Sequence, residues 1–275
     1  MPVTISRRAE LSPGRWSRAA APGRRVGHAV EFHPTIGSTN DRAHAVLRES
    51  GGEGRAIVAD LQTQGRGRRG RSWLSPAASN LMVSVGIRCR LSSRDAWWIG
   101  AAAALAVSSA AASATAAPFL IRWPNDVVTG EGHKVAGLLI ETALDGARLR
   151  EAVIGIGLNV NWSRAAMPPG IAGRASSLCD VRGATLDRVE VLGALLQALD
   201  EEIGRCEKGE SPLPRYRERQ WLDGRLVRIE AGDQILEGTA SGIGPEGGLL
   251  LRMHDGLREV GIGEVVRVAE RSWIP

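Results

Sequence analysis

Short stretches in which apolar and polar positions alternate recur along the chain, and this period of two predicts strands. Residues 56–62, AIVADLQ, and 80–89, NLMVSVGIRC, have this character. Three further strands are predicted over FLIRWPNDVVT, KVAGLLIETAL and REAVIGIGLNVN, with Gly-containing turns between them. These segments predict the core of a mixed sheet.

Three other segments have the character of helices. A helix is predicted after a short strand and a turn at Gly37, with Ser38 or Thr39 as its N-cap. The Ala-rich stretch of about 94–116 predicts a buried helix packed closely on the sheet. Residues 185–209 predict an amphipathic helix, because apolar residues recur on one side at helical spacing. These are Val189, Leu192, Leu195, Leu196 and Leu199.

From about Asp223 the pattern changes to short strands separated by Gly and Asp, over LVRIEA, ILEGTASGI, GLLLRM and REVGIGEVVRV. Short strands at this spacing predict a small β-barrel of about 50 residues. We therefore expect an α+β fold with a leader over residues 1–30, a main domain over 31–222 and a barrel over 223–275.

The composition, 43% hydrophobic and 24% charged over 275 residues, is that of a soluble globular protein. Residues 96–121 carry no charge and have the length of a membrane span. Most of them are Ala and Ser, however, and such small residues give too little transfer energy to hold a helix in lipid. No apolar signal-peptide stretch follows Met1, so we predict a cytoplasmic protein without a membrane partner.

The excess of positive over negative charge is confined to the first 30 residues of the chain. Residues 1–30 contain six Arg and one acidic residue, which accounts for the net charge of +5. This leader has too few large apolar side chains to fold alone, so we expect it to be flexible. It is also too short for a helix-turn-helix domain, and the neutral remainder argues against a DNA partner.

Residue types narrow the chemistry further. Three widely spaced cysteines without a CxxC pair, and five scattered histidines, favour neither a disulfide framework nor a histidine metal site. Only Lys134 and Lys208 are lysines among 35 basic residues. A lysine in a chain that otherwise uses Arg is a candidate for a role that needs a compact amine.

The segment GRGRRGRSW, residues 65–73, follows a predicted strand and places four Arg among three Gly. Glycines allow the backbone to approach an oxyanion closely, and Arg binds carboxylate or phosphate with two parallel hydrogen bonds. The segment is neither a Walker loop nor a dinucleotide fingerprint. Taken alone it is consistent with a small-molecule phosphate site, a nucleic-acid contact or a solvated loop.

Three later segments carry further polar candidates. RWPND at 122–126 combines a cation, an aromatic ring and oxygen-bearing side chains, which suit Mg²⁺, a nucleotide or a simple turn. KVAGLLIE begins with the rare Lys134, which is either solvated or functional. GIGLNVN places Asn159 and Asn161 on one side of an apolar strand, where they need partners from the protein or from a ligand.

Taken in order, these segments resemble the biotin protein ligase family, in the form without a DNA-binding domain. The resemblance runs from about Glu31 to Val268 and rests on STN at 38–40, Gln62 with GRGRRGRSW, WPND, KVAGLLIE and GIGLNVN. It implies a mixed-sheet catalytic domain like that of class II synthetases, followed by an SH3-like barrel. It also implies biotin and MgATP as ligands, a biotinoyl-adenylate intermediate, a carboxyl carrier protein as acceptor and a possible homodimer.

The resemblance implies a role for each matching position. Lys134 and Arg68 would be catalytic, and Mg²⁺ would come with ATP, near Asp126. The adenylate would contact Trp73, Asn125, Asp126 and Asn159. The biotin site would contain Ser38, Thr39, Asn40, Gln62, Gly65, Arg66, Gly67, Arg68, Lys134 and Gly137.

This chemistry needs cations around a developing phosphate charge, but no covalent protein nucleophile. Since water destroys an acyl-adenylate, we expect the loop over residues 65–71 to be mobile when empty and ordered over the ligand. One departure from the family is Arg122, where many members have Lys before WPND.

Two rival interpretations follow from the same segments. A lipoate or octanoyl ligase resembles this fold and chemistry, but GRGRRGR with WPND favours the fused-ring acid. An RNA-binding protein could use residues 65–71 and the leader, yet the body is neutral and has few aromatic residues outside these segments.

Overall fold

The computed structural model describes residues 11–269 and is built around a seven-stranded sheet. The strand order is β1-β2-β3-β7-β6-β5-β4, in which β1 and β2 are parallel and every other pair is antiparallel. The prediction of a mixed sheet is therefore confirmed. The strands are β1 Val30–Ile36, β2 Ala56–Gln62, β3 Leu81–Arg88, β4 Leu120–Arg122, β5 Asp126–Val128, β6 Lys134–Asp145 and β7 Arg148–Leu158.

Helices cover both faces of this sheet. Successive side chains of a strand point to opposite sides, so consecutive apolar residues pack against helices on different faces. Ile57 packs under α2 with Ala43 and Val46, whereas Val58 belongs to the main core with α3 and α6. The helices are α1 Pro13–Trp16, α2 Thr39–Leu47, α3 Trp97–Thr115, α4 Pro169–Ala172, α5 Leu178–Arg182, α6 Arg188–Glu207 and α7 Leu213–Glu218. Short 3-10 turns cover Ser17–Ala19, Arg68–Gly70, Ser93–Asp95 and Arg164–Ala166.

The Ala-rich helix α3 is a core helix, as the sequence predicts. Its small side chains let it pack closely against α6 and the sheet, and residues 101–108 are buried throughout. By length and composition alone, residues 93–115 are the one stretch of the described chain that could cross a membrane. Because 67% of its 18-residue apolar window is buried inside the protein, the apolar surface of this helix packs in the core.

The leader, residues 1–30, was expected to be flexible, but residues 11–30 pack against the main domain. Residues 1–10 lie outside the described residues. Trp16 is 1% exposed and stacks on Phe32, with ring centroids 4.8 Å apart. Arg15 forms an ion pair of 2.6 Å with Asp187, and Val26 is fully buried. Composition alone missed this packing, because two large apolar residues anchor a segment that is otherwise small and polar.

The segment around Pro124 also differs from its prediction as one strand. It forms a tight hairpin, in which β4 pairs with β5 and Arg122 lies opposite Asp126. The peptide bond between Trp123 and Pro124 is cis. The hairpin brings Asn125 and Asp126 to the neighbouring strand β6, where they contact the Leu138 carbonyl and Lys134.

A separate antiparallel sheet follows at the C-terminal end, in the order β11-β10-β9-β8-β12. The predicted strand REVGIGEVVRV is in fact two strands, because Gly261 and Gly263 interrupt it with a bend. The strands are β8 Leu226–Ala231, β9 Gln234–Ile243, β10 Leu249–Met253, β11 Gly256–Val260 and β12 Glu264–Ala269.

Candidate active site

The predicted site residues meet in one cavity of about 570 Å³ between the main sheet, the loop over residues 65–73 and β12. Gly65 is the exception: it does not line the cavity, and its carbonyl accepts from the Trp73 N–H at 3.0 Å. The predicted residues in the lining are Ser38, Thr39, Asn40, Gln62, Arg66, Gly67, Arg68, Trp73, Asn125, Asp126, Lys134, Gly137 and Asn159.

One end of the cavity is a buried polar cluster at the start of α2. Ser38 is the N-cap residue, and the Thr39 N–H and hydroxyl donate to Gln62 Oε1 at 2.7 and 3.0 Å. Ser84 Oγ lies 2.6 Å from Asn40 Oδ1, and Asn40 Nδ2 donates to a carboxylate on β6. These bonds fix a row of donors and acceptors suited to a polar, uncharged ligand group.

The middle of the cavity is cationic. Asp126 lies between two cations, with Oδ1 2.6 Å from Lys134 Nζ and Oδ2 2.8 Å from Arg122 Nη2. Burial alone would raise the pKa of this carboxyl. The positive charges of Lys134 and Arg122 lower the pKa by more than burial raises it, so the net shift is downward. Asp126 is therefore ionised at neutral pH and holds both cations in place.

The ammonium of Lys134 also lies 5.5 Å from the centroid of the Trp73 ring. This distance is within the range of a cation–π contact. A ligand that enters here meets a positive charge backed by an aromatic face.

The loop over residues 65–71 carries its arginines to different partners. Arg66 forms a bidentate pair with Asp41 at 2.5 and 2.9 Å, and its guanidinium also lies 3.8 Å from Glu141 at the edge of the polar cluster. Arg68 points inward, with Nη1 3.4 Å from Asn125 Oδ1 and 3.5 Å from the Gly263 carbonyl. Burial lowers the pKa of Arg68, because a desolvated guanidinium is less stable in its charged form, and the neighbouring charge of Arg69 lowers it further.

The same loop is attached to the C-terminal sheet by ion pairs. Arg71 lies 2.5 Å from Glu264, and Arg69 lies 3.6 Å from both Glu264 and Glu230. Arg69 has a φ of 55°, in the left-handed region that favours Gly. The loop is thus held over the cavity by the C-terminal sheet in this structure.

The Trp73 indole gives the cavity a flat aromatic wall, which suits a flat ligand group. Its indole covers Gly157 and Gly137, where an added Cβ would lie 2.4 Å from Trp73 Cε2 and 2.9 Å from Trp73 Cζ3. Trp73 Nε1 is buried and has no hydrogen-bond partner among residues 11–269. A buried donor of this kind needs a partner, which a bound ligand can supply.

The predicted Mg²⁺ position near Asp126 does not fit the side chains around it. Both carboxylate oxygens already pair with cations, and a metal ion would have to displace Lys134 or Arg122. Within residues 11–269 no three His, Cys, Asp or Glu side chains are grouped to hold a metal. No residue of the described chain is therefore assigned as a metal ligand.

Sequence reasoning missed several residues of the site. Ser84 and Glu141 complete the polar cluster, and Glu264 holds the loop. The segments of Ser84 and Glu264 gave no signal, because the contacts arise only when distant strands meet. Glu141 ends the segment KVAGLLIE, but that segment alone did not indicate its contact with Asn40. Gly155 and Gly157 did carry a signal, since two glycines two residues apart leave one face of a strand open.

Comparison with protein families gives two matches in chain order. The Biotin/lipoate A/B protein ligase family matches residues 32–159, and the Biotin protein ligase C terminal domain matches residues 224–268. The first match contains the predicted site residues, and the second covers the C-terminal sheet.

Individual proteins agree with these matches. A Biotin--[acetyl-CoA-carboxylase] ligase of Mycobacterium tuberculosis is 35% identical over 241 residues, covering 84% of this chain and 86% of that protein. The Bifunctional ligase/repressor BirA of Bacillus subtilis is 30% identical over 237 residues, covering 86% and 73%. The solved biotin protein ligase from Aquifex aeolicus in complex with biotin and ATP superimposes with a TM-score of 0.73 at 29% identity, covering 87% and 98%.

Proposed function

The chain belongs to the biotin protein ligase family, and on that premise we propose that it activates biotin with ATP and transfers the acyl group to a lysine of a carrier protein. In the first step a biotin carboxylate oxygen attacks the α-phosphorus of ATP, giving biotinoyl-5'-AMP and releasing pyrophosphate. In the second step the neutral amine of the acceptor lysine attacks the acyl carbonyl, and AMP leaves.

The observation that carries this proposal is the position of Lys134 in the cavity. Lys134 lines the same cavity as the polar cluster around Thr39 and as Asn125, with its ammonium 2.6 Å from Asp126 and 5.5 Å from the centroid of the Trp73 ring. A cation at this point faces the junction of an acid and a nucleotide. Preorganised charge there stabilises the phosphate oxygens as their charge develops.

The polar cluster suits the ureido and ring end of biotin, with Ser38, Thr39, Asn40 and Gln62 supplying donors and acceptors. Arg66 and Gly67 would follow the chain of the acid, and Gly137 leaves room beside it. Gly65 would act indirectly, through its carbonyl that holds the Trp73 N–H. Arg68 and Lys134 are the proposed catalytic cations, because both enter the cavity.

The nucleotide side is assigned to Trp73, Asn125, Asp126 and Asn159. Trp73 offers a flat face and an N–H that lacks a protein partner in the described chain. Asp126 acts here by holding Lys134 and Arg122 rather than by binding metal. Any Mg²⁺ would arrive bound to the phosphates of ATP.

Arg122 supports the site although many relatives have Lys at this position. Its guanidinium reaches Asp126 at 2.8 Å and the Gly132 carbonyl at 3.3 Å. These contacts are those of a positioning charge behind Asp126, so the departure from the family pattern is compatible with the proposed activity.

Finer features of fold and setting belong to the same proposal. We assign residues 31–222 to a class II synthetase-like catalytic domain and residues 223–275 to an SH3-like barrel, with 1–30 as an N-terminal extension. We place the enzyme in the cytoplasm, with a biotin carboxyl carrier protein or domain as its partner. Pairing of two copies at the edge of the main sheet would give a homodimer.

The proposal is tested by intact-mass measurement of a biotin carboxyl carrier domain incubated with the enzyme, biotin and ATP. The expected result is the mass increase of one biotinyl group, lost when the acceptor lysine is replaced by Arg. An unchanged mass with biotin, but an increase with lipoate or octanoate, would contradict the proposal in favour of the lipoate or octanoyl ligases.

A further inference from the structure

Asn80, which no sequence motif singled out, lies directly behind the nucleotide side of the cavity. Its side chain is fully buried just before β3, and both atoms of its amide are used. Asn80 Oδ1 accepts from the Val160 N–H at 3.0 Å, and Asn80 Nδ2 donates to Asn159 Oδ1 at 3.3 Å. Asn80 therefore contacts a cavity residue without lining the cavity itself.

Two backbone groups determine the orientation of both amides. The Val160 N–H can only donate, so Asn80 must turn its oxygen towards it and its nitrogen towards Asn159. The Ser176 carbonyl can only accept, so Asn159 Nδ2 donates to it, at 3.0 Å. Asn159 is 5% exposed, and one hydrogen of its amide nitrogen remains for a ligand in the cavity.

A second layer holds Asn80 from behind. Arg188 Nη1 donates to the Asn80 carbonyl at 3.1 Å and to Asp60 Oδ1 at 2.7 Å, and Asp60 also accepts from the Ala78 N–H at 3.0 Å. Arg188 is 2% exposed, and its guanidinium lies 5.2 Å from the centroid of the Trp16 ring. The N-terminal segment thus covers the back of this hydrogen-bonded layer.

We propose that Asn80 is a positioning residue that orients the Asn159 amide for the nucleotide, with Asp60 and Arg188 fixing Asn80 in turn. This inference rests on the proposed function, in which Asn159 serves ATP. If Asn80 is shortened, Asn159 loses the donor that fixes its oxygen and is held only by the bond from its nitrogen to the Ser176 carbonyl, so its amide is less firmly oriented towards the nucleotide. The affinity for biotin, which lies at the other end of the cavity, should change little.

The test measures biotin-dependent pyrophosphate exchange in the full chain carrying Asn80→Ser, with separate KM values for ATP and biotin. Loss of one buried hydrogen bond that orients a ligand contact corresponds to about a tenfold rise in KM for ATP. KM for biotin should stay within about twofold. If the Ser variant does not fold, Asn80→Asp replaces it, because the carboxylate keeps the acceptor for the Val160 N–H.

Asn161→Ser is the matched control. Asn161 bonds the backbone of Leu186 with both amide atoms, at 2.9 Å each, but does not line the cavity. It should lower the melting temperature without raising KM for ATP. An equal rise in both variants would mean that loosening this region is sufficient, and would overturn the role of Asn80.

A double-mutant cycle distinguishes positioning from an independent effect. If Asn80 acts through Asn159, adding Asn80→Ser to Asn159→Ala leaves KM for ATP within about twofold of the Asn159→Ala value. Multiplication of the two effects, or a normal KM in the Asn80 variant, would overturn the inference while leaving the proposed function intact. Absence of exchange in the parent enzyme would instead overturn the proposed function and the inference with it.

Discussion

At the scale of single residues, the cavity depends on groups whose size matters as much as their charge. Lys134 Nζ lies where an added Cβ at Gly137 would approach it to 2.8 Å, and Trp73 closes the other side. A compact ammonium fits this space, whereas a planar guanidinium needs more room and a different set of acceptors. The scarcity of lysine in the chain therefore has a structural counterpart at this position.

Lys134→Arg should lower the rate of biotin-dependent exchange by roughly 100-fold, the magnitude found when one preorganised donor is lost from a reaction centre. The measurement is the exchange rate at saturating ATP and biotin. Lys208→Arg is the control, because Lys208 is exposed at the end of α6 and should keep the parent rate. Near-normal exchange by the Lys134 variant would show that charge alone suffices.

Arg68→Gly should still form the adenylate but release it to water, because Arg68 fills the side of the cavity between Asn125 and Gly263. We expect the adenylate bound to this variant to be hydrolysed roughly tenfold faster than the adenylate bound to the parent enzyme. Hydrolysis of prebound labelled adenylate measures this, with Arg90→Gly, an exposed position away from the cavity, as the control. An unchanged lifetime would exclude a covering role for the loop.

At the scale of secondary-structure elements, the site is formed where strands leave space for side chains from elsewhere. Gly155 and Gly157 on β7 lie under Asn40 and Trp73, and added Cβ atoms would come within 2.3 Å of Asn40 Oδ1 and 2.4 Å of Trp73 Cε2. Strand β7 thus acts as a flat floor for the N-terminus of α2 and for Trp73, at the end of the loop over residues 65–73.

Gly157→Ala should displace Trp73 and raise KM for ATP by about tenfold, since a well-packed contact cannot absorb a methyl group at this distance. Steady-state exchange kinetics measure the change. Gly204→Ala in α6, where the added Cβ meets open space, should leave KM unaltered. A normal KM in the Gly157 variant would mean that Trp73 does not pack against the nucleotide.

The strand β1 is joined to helix α2 by Glu31, whose carboxylate lies 2.6 Å from Arg42 and 2.8 Å from His33. The hydrogen bond from Arg42 lowers the pKa of Glu31 to about 2, although burial opposes the shift. Because the folded pKa is below the unfolded one, the stabilisation is complete above pH 4.5 and is lost as the pH falls towards 2.

Glu31→Gln should therefore cost about 2 kcal/mol of unfolding free energy at pH 7 and much less near pH 3. Denaturant unfolding of parent and variant at several pH values measures this difference. Glu190→Gln, at an exposed position of α6, should show no such dependence. A cost that did not shrink in acid would show that shape, not charge, is what Glu31 contributes.

Elements were predicted correctly from the sequence where a single hydrophobic periodicity runs through the whole element. The prediction was wrong where one apolar stretch contains two strands and the turn between them. The limits of β2 are as predicted, and the helix expected over 94–116 runs from Trp97 to Thr115. FLIRWPNDVVT and REVGIGEVVRV were each predicted as one strand, but each folds back on itself. A turn inside an apolar run is decided by the neighbouring strands, which a local pattern does not contain.

The candidate site was predictable to a similar extent. The motifs supplied the residues that line the cavity, but not the partners that orient them. Asn80 and Glu264 lie outside the motifs and meet the motif residues only through the fold, and the contact of Glu141 with Asn40 joins two motifs that are far apart in the chain. Likewise, the paired carboxylate of Asp126 argues against a metal ligand, although its residue type alone suggested one.

At the scale of the whole molecule, the cavity is closed by parts that are far apart in the chain. The N-terminal segment supports it through Trp16 and Arg188, the main sheet provides its floor, and β12 holds the loop through Glu264. The C-terminal sheet is thus part of the active-site enclosure. In the proposed function, this enclosure would bring biotin and ATP together and exclude water from the intermediate.

We propose that this enclosure activates biotin with ATP. Biotin-dependent exchange of labelled pyrophosphate into ATP measures that step directly, with lipoate and octanoate as parallel substrates. We expect exchange with biotin alone. Exchange with lipoate or octanoate but not with biotin would contradict this proposal in favour of the related acyl ligases. No exchange with any of the three acids would favour a nucleic-acid contact as the role of the loop over residues 65–71.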